Sequence, residues 1–81
     1  MDYDCDKVDD AVLALLWLTA SRERPEYAYR AWKGMDWDAL DRLHAKGWIS
    51  DPKNKNKSVL LTDKGAQRAE ELFRRLFGTG D

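Results

Sequence analysis

The sequence predicts one mostly α-helical domain with a small β-hairpin, in the order helix, helix, helix, strand, strand, helix. Apolar residues recur at helical spacing in two long segments and in a shorter one between them. After Gly47 the apolar spacing changes to two, which is typical of strands. A chain of 81 residues is far shorter than the length at which proteins divide into domains. We therefore expect a single domain over 1–81 with an ordered core over about 4–77.

The first helix is predicted over about Asp4–Ala20, and its aspartate-rich first turn suits the positive end of the helix dipole. At about 100° per residue, one face that we expect to be buried collects Val8, Ala11, Val12, Leu15, Leu18 and Thr19. Leu13 and Trp17 fall almost opposite, and a second apolar stripe needs a second partner. That partner is either the core of the same chain or a second copy. We favour a homodimer interface at Leu13 and Trp17.

A short second helix is predicted over Pro25–Lys33. Proline is favoured at the first position of a helix, which suits Pro25. Gly34 follows directly and suits the left-handed conformation that often ends a helix.

A third helix is predicted over Trp37–Lys46. Asp36 can cap its first turn, Leu40 and Leu43 form its inward pair, and Gly47 ends it. Two short helices separated by a glycine-containing turn are typical of a helix-turn-helix.

A hairpin is predicted next, with strands at Trp48–Ser50 and Val59–Leu61. The connecting segment, Asp51–Ser58, is rich in Pro, Asn and Ser and is called the lysine loop below. Its lysines stand at every second position, so an extended segment would place them on one side: Lys53, Lys55 and Lys57.

Thr62 can cap a last helix over Asp63–Phe77. One side of this helix is apolar and is expected to pack against the core: Ala66, Ala69, Leu72, Phe73, Leu76 and Phe77. The opposite side carries acidic and basic residues one turn apart, as an exposed face does.

Two motifs resemble those of winged helix-turn-helix proteins. The run Leu61-Thr-Asp-Lys-Gly65 is similar to the Leu-Thr-x-x-Gly step from wing to last helix in MarR-like and PadR-like bacterial regulators. The run Leu40-x-x-Leu43-x-x-x-Gly47-Trp-Ile49 resembles their recognition helix and first wing strand. This resemblance covers about residues 25–77. The start of the chain, together with Arg30-Ala-Trp-Lys-Gly34, resembles a small uncharacterised bacterial domain family, which implies no activity.

The winged-helix resemblance implies a recognition helix in the major groove of duplex DNA and a wing beside the DNA backbone. The nucleic-acid-binding residues it implies are Lys53, Lys55 and Lys57 on phosphates, with Arg42 and Lys46 on the recognition helix. Asp38 and Asp41 share the exposed side of that helix and would repel phosphates. Base readout by the helix is therefore weak, and the wing is the stronger candidate.

Composition and motifs argue against most other classes of function. A net charge of −1 is unlike that of a strongly basic nucleic-acid binder. The lone Cys5 allows no internal disulfide, and its aspartate neighbours do not activate a thiol. His44 has no metal-ligand partners at suitable spacing, and the first aspartates lack the glycine and closing glutamate of a calcium loop. We therefore expect no enzyme activity, metal or cofactor.

Two functions remain open. The first is weak nucleic-acid binding in a regulatory role by a homodimer, with duplex DNA as the partner. The alternative is a winged-helix module that docks on another protein and binds no DNA. The apolar run Ala11–Ala20 is too short to span a bilayer and follows an acidic segment. A cytoplasmic location without membrane contact is expected.

Overall fold

A computed structural model describes residues 1–80. Its elements, in chain order, are α1 (Cys5–Leu18), β1 (Arg30–Trp32), α2 (Trp37–Ala45), β2 (Ser58–Leu60) and α3 (Asp63–Phe77). The predicted mostly helical domain with a small antiparallel β element is confirmed, and the layout is compatible with a winged helix. Within the described part of the chain, no helix combines the length and apolar content needed to cross a bilayer.

The helices begin at side chains that accept a hydrogen bond from the first turn. Asp36 accepts from the amide of Ala39 at 3.1 Å, and Thr62 accepts from the amide of Gly65 at 2.9 Å, as predicted. Just beyond α2, Gly47 has a φ of 80°, a left-handed conformation that favours glycine. The local capping signals therefore set the bounds of α2 and α3.

Gly65 and Thr62 join α3 to the chain that leads into the lysine loop. The Thr62 hydroxyl donates to the Gly47 carbonyl at 2.8 Å. A side chain at Gly65 would collide with the carbonyl oxygen of Trp48, so α3 lies directly against that backbone. The Leu-Thr-x-x-Gly run thus encodes both a helix cap and a close approach.

The predicted helix over Pro25–Lys33 is wrong. Pro25 lies in a turn, and Arg30–Trp32 forms β1, antiparallel to β2. Ala31 faces the core while its two neighbours are exposed, and this alternation suits a strand that is buried on one face. Gly34 has no positive φ and ends no helix. Residues 25–33 therefore contribute a turn and a strand in place of the predicted helix.

The small sheet has one buried and one open face. Arg30 pairs with Leu60 and Trp32 with Ser58 across the ladder, and these four side chains form the outer face. The inner side is closed by four buried residues: Ala31, Val59, Ile49 and Leu61. The predicted first hairpin strand at Trp48–Ser50 is reduced to a single bridge between Ile49 and Leu61. The main partner of β2 is therefore β1.

Helix α1 is the centre of the core and packs against both α2 and α3. Its buried residues are Asp9, Val12, Leu13, Ala14 and Leu16. The buried face of α1 is rotated around the helix axis relative to the predicted face. Leu18, which was predicted to be buried, is 63% exposed, whereas Leu13 is fully buried. The assignment of Leu13 to a homodimer interface is thus corrected: its partner is the core of its own chain.

Trp17 lies at the edge of this core and is partly buried. Its indole packs on Tyr29 with 4.8 Å between ring centroids. The role of Trp17 in a homodimer stays a prediction.

Candidate nucleic-acid interface

The lysine loop carries an exposed cluster of positive charge. Lys53, Lys55 and Lys57 are all exposed. Among residues 1–80, Lys53 alone of the three has an acidic partner, with its Nζ 4.0 Å from Asp41. Ammonium groups without carboxylate partners are free to bind phosphate oxygens.

The loop is folded by its own side chains and is not extended. The Asp51 carboxylate accepts from the amide of Lys53 at 2.9 Å, and the Asn54 side chain accepts from the amide of Asn56 at 2.8 Å. In turns of this kind, an Asp or Asn side chain accepts a hydrogen bond from the backbone amide two residues further along the chain. The predicted extended conformation of this segment is therefore wrong, and the three lysines lie on a folded tip.

Lys33 fixes the loop to the rest of the domain. Its Nζ donates to the carbonyl oxygens of Pro52 at 2.7 Å and Asn54 at 3.0 Å. Its backbone amide donates to the carbonyl of Lys57 at 3.1 Å. The sequence interpretation placed Lys33 at the end of a helix and missed this function. The lysine tip is consequently shaped before any ligand arrives.

Two tryptophans beside the loop are more than half exposed. Trp32 is 57% exposed on the outer sheet face, and Trp37 is 56% exposed at the start of α2. The Nζ of Lys33 lies 5.9 Å from the centroid of the Trp37 ring. Large aromatic residues are normally buried, so two open indoles next to a basic loop are an unusual surface feature.

Arg42 and Lys46, predicted to bind nucleic acid, both contact a buried carboxylate. Asp9 of α1 is fully buried and accepts from Arg42 Nε at 2.9 Å and from Lys46 Nζ at 3.1 Å. Arg42 Nη2 lies 2.8 Å from the same carboxylate in an ion-pair contact without hydrogen-bond geometry. Lys46 also reaches Asp6 at 3.3 Å. We assign both cations to this network, which ties α1 to α2.

The sequence interpretation missed Asp9, whose charge was attributed to the helix dipole. A signal was nevertheless present. Asp9 lies one turn before Val12 and Leu13, on the side that is buried. Arg42 of α2 and Lys46, which caps the end of that helix, are spaced one turn apart. An acidic residue on an apolar face needs a cationic partner, and this pair supplies it.

The network changes the pKa values of its members. Burial raises the pKa of Asp9, but the hydrogen bonds and charges of Arg42 and Lys46 outweigh burial and hold it below 3.8. Burial lowers the pKa of Lys46, whereas its bonds to Asp9 and Asp6 raise it above 10.5 overall. The hydrogen bond to Asp9 likewise raises the pKa of Arg42. All three groups are therefore charged at neutral pH.

We expect acid to remove the stability that Asp9 supplies. Because its pKa is lower in the folded chain than in the unfolded chain, the contribution is complete above the ordinary value of 3.8 and disappears as pH falls through the folded value. Urea titrations of the parent and Asp9→Ala between pH 7 and 2 measure this directly. Their difference in unfolding free energy should shrink below about pH 4. A difference that stays constant with pH would contradict a charged Asp9.

The exposed side of α2 remains acidic. Asp38 is exposed and Asp41 is partly exposed, and neither is bonded to Arg42. A helix that presents two carboxylates while its arginine is engaged elsewhere is poorly suited to reading bases in a major groove. The candidate phosphate-binding site is therefore the lysine loop, and the two open indoles lie beside it.

The other chemically notable residues form no site of their own. Cys5 is an exposed free thiol, and His44 Nδ1 lies 3.1 Å from the carbonyl of Ile49. In the part of the chain that the structure describes, no group of three or more His, Cys, Asp or Glu side chains is arranged to hold a metal ion.

Comparisons with known proteins give a family match without a described activity. The family model "Domain of unknown function (DUF6429)" matches residues 4–79. The chain is 62% identical over 77 residues to "Uncharacterized protein y4hR" of Sinorhizobium fredii. The matched region covers 95% of this chain and 97% of that protein. No solved structure matches the chain.

Proposed function

Since the chain belongs to the DUF6429 family, whose description assigns no ligand, we propose a function from its geometry: weak binding of nucleic-acid phosphates through the lysine loop. The observation that carries this proposal is a preshaped tip with three exposed lysines: Lys53, Lys55 and Lys57. The chain that leads from α2 through this tip to β2 and α3 follows the order of a winged helix, and a wing lies beside the backbone of DNA. A regulatory role is what the resemblance to MarR-like and PadR-like regulators implies.

The binding is expected to be weak and independent of sequence. Phosphate contacts carry no sequence information, and the surface lacks a free arginine on α2 to read a base. Asp41 lies 4.0 Å from Lys53 Nζ, within a Debye length of about 8 Å, and Asp38 is exposed one turn earlier on α2. Their repulsion offsets part of the attraction, which favours dissociation constants of roughly 10⁻⁴–10⁻⁶ M.

Replacing Lys53, Lys55 and Lys57 together by Gln should weaken binding to every duplex about equally. Three phosphate contacts give a salt slope of roughly −2.7 on logarithmic axes, and their loss flattens it. Electrophoretic shifts of a random duplex at about 20 and 150 mM salt measure both effects.

A matched control carries the same change in net charge outside the loop: Lys7→Gln, Arg24→Gln and Lys64→Gln, all at exposed positions. This triple variant should bind nearly as well as the parent. Equal weakening by the two triple variants would mean that overall charge, and not the loop, drives association. A parent that shifts no duplex at about 20 mM salt would overturn the proposal.

A second candidate is docking on another protein. Apolar side chains are open at the ends of two helices, with Leu18 63% exposed on α1 and Leu76 and Phe77 each 48% exposed on α3. Open apolar residues of this kind favour a protein partner. This function is preferred if the parent binds no nucleic acid.

A further inference from the structure

The outer face of the sheet carries an exposed indole. Trp32 extends outward from β1 opposite Ser58, and 57% of its surface is exposed. The nitrogen edge of its ring lies against Gly34, where an added side chain would require the indole to move. Glycine at this position therefore leaves room for the observed orientation of the indole. An exposed aromatic ring of this kind can stack with a nucleic-acid base.

Cationic groups border this indole. Arg30 shares the outer face, and its guanidinium donates to the Ser58 hydroxyl at 2.9 Å, across the ladder from Trp32. Lys57 directly precedes Ser58, and its carbonyl accepts from the amide of Lys33. The lysine loop thus begins at the end of the sheet that carries the tryptophan.

A second open indole lies near Lys33. Trp37 is 56% exposed, and its ring is 5.9 Å from the same Nζ that holds the loop through Pro52. Both exposed tryptophans therefore lie near the segment that anchors the lysine loop. Aromatic rings interleaved with cations are the combination that binds single strands, since bases stack on the rings while cations hold the phosphates.

From this juxtaposition we infer that the preferred ligand is single-stranded nucleic acid, with a base stacked on Trp32 and phosphates held by the lysine loop. The inference rests on the proposed function for its phosphate contacts. A duplex keeps its bases stacked on one another and offers no free base face to the indole. A single strand can use the indole as well, so it gains a contact that the duplex lacks.

The test compares Trp32→Leu with Trp32→Phe. Fluorescence anisotropy at about 20 mM salt measures binding of an oligothymidylate of about 12 nucleotides and of a duplex of the same length. The parent should bind the single strand more tightly, although the duplex has twice the phosphates. Trp32→Leu should lose at least about fivefold in affinity for the single strand and leave duplex binding unchanged. Trp32→Phe keeps a ring and should retain most of the affinity.

Phe77→Leu is the matched control, because it removes another half-exposed aromatic ring, at the end of α3. Circular dichroism checks that each variant is folded. Equal binding of both probes by the parent, or equal effects of Trp32→Leu on both, overturns the single-strand inference while the proposed function stands. Binding of neither probe overturns the proposed function as well.

Discussion

Leu43→Ala is expected to lower the free energy of unfolding by about 2–5 kcal/mol. Leu43 is fully buried on α2, in the core that α1 shares with the sheet. Truncation removes apolar area that was hidden from water and leaves a cavity that a well-packed core fills only in part. The total free energy of unfolding of a small domain is about 5–15 kcal/mol, so this one substitution removes a large share of it.

Urea titration followed by circular dichroism measures the loss. Leu18→Ala serves as the control, because this leucine is 63% exposed at the end of α1 and its truncation should change stability by less than about 1 kcal/mol. A loss below roughly 0.5 kcal/mol for Leu43→Ala would mean that α2 turns a different face to the core.

Asp9→Ala is expected to cost about 2–3 kcal/mol at pH 7. The carboxylate is fully buried between α1 and α2, and its removal leaves Arg42 without its partner and Lys46 with only the exposed Asp6. Breaking a wholly buried pair costs about 3–5 kcal/mol. The lower figure applies because the side chains of Arg42 and Lys46 are each 31% exposed and can turn to water.

Asp10→Ala is the matched control, since it removes the same type of residue from the next position of α1. It should change stability by no more than about 0.5 kcal/mol. Asp9→Leu tests the electrostatic explanation: an apolar side chain of sufficient volume often restores what a lost buried pair removes. If Asp9→Ala and Asp10→Ala are equally stable, the network does not join the helices.

Local signals were enough to predict two of the three helices closely. Thr62 and the strong apolar face behind it predicted α3 with its observed bounds, Asp63–Phe77. Asp36 and the Leu40–Leu43 pair predicted α2 with its observed start at Trp37 and an end one residue too late. Both predictions succeeded because a cap and a helical period lie within one stretch of chain.

Elements that depend on distant partners were predicted poorly. The segment Arg30–Trp32 becomes a strand because β2 lies beside it, and three residues are too few for their alternation to stand out. In α1, nearly every residue after Asp10 is apolar, so the helical period could not identify the buried face. Leu13 was assigned to the wrong partner for that reason.

The candidate site was predicted in part. The position of the lysine loop followed from composition, whereas its folded shape required the side-chain contacts of Asp51 and Asn54. The exposure of Trp32 could not be predicted, because tryptophan in a small domain is usually part of the core. The exposure of this residue follows from its place on β1, where it faces outward.

Lys33 has a consequence for the kinetics of association. A cation that is bonded to two loop carbonyls keeps the neighbouring lysines in place, so the loop does not have to fold as it meets a polyanion. The encounter is then governed by diffusion and long-range attraction, with an association rate that falls steeply as ionic strength rises. Without the Lys33 anchor, the loop would have to become ordered on binding, and the residence time of the ligand would be shorter.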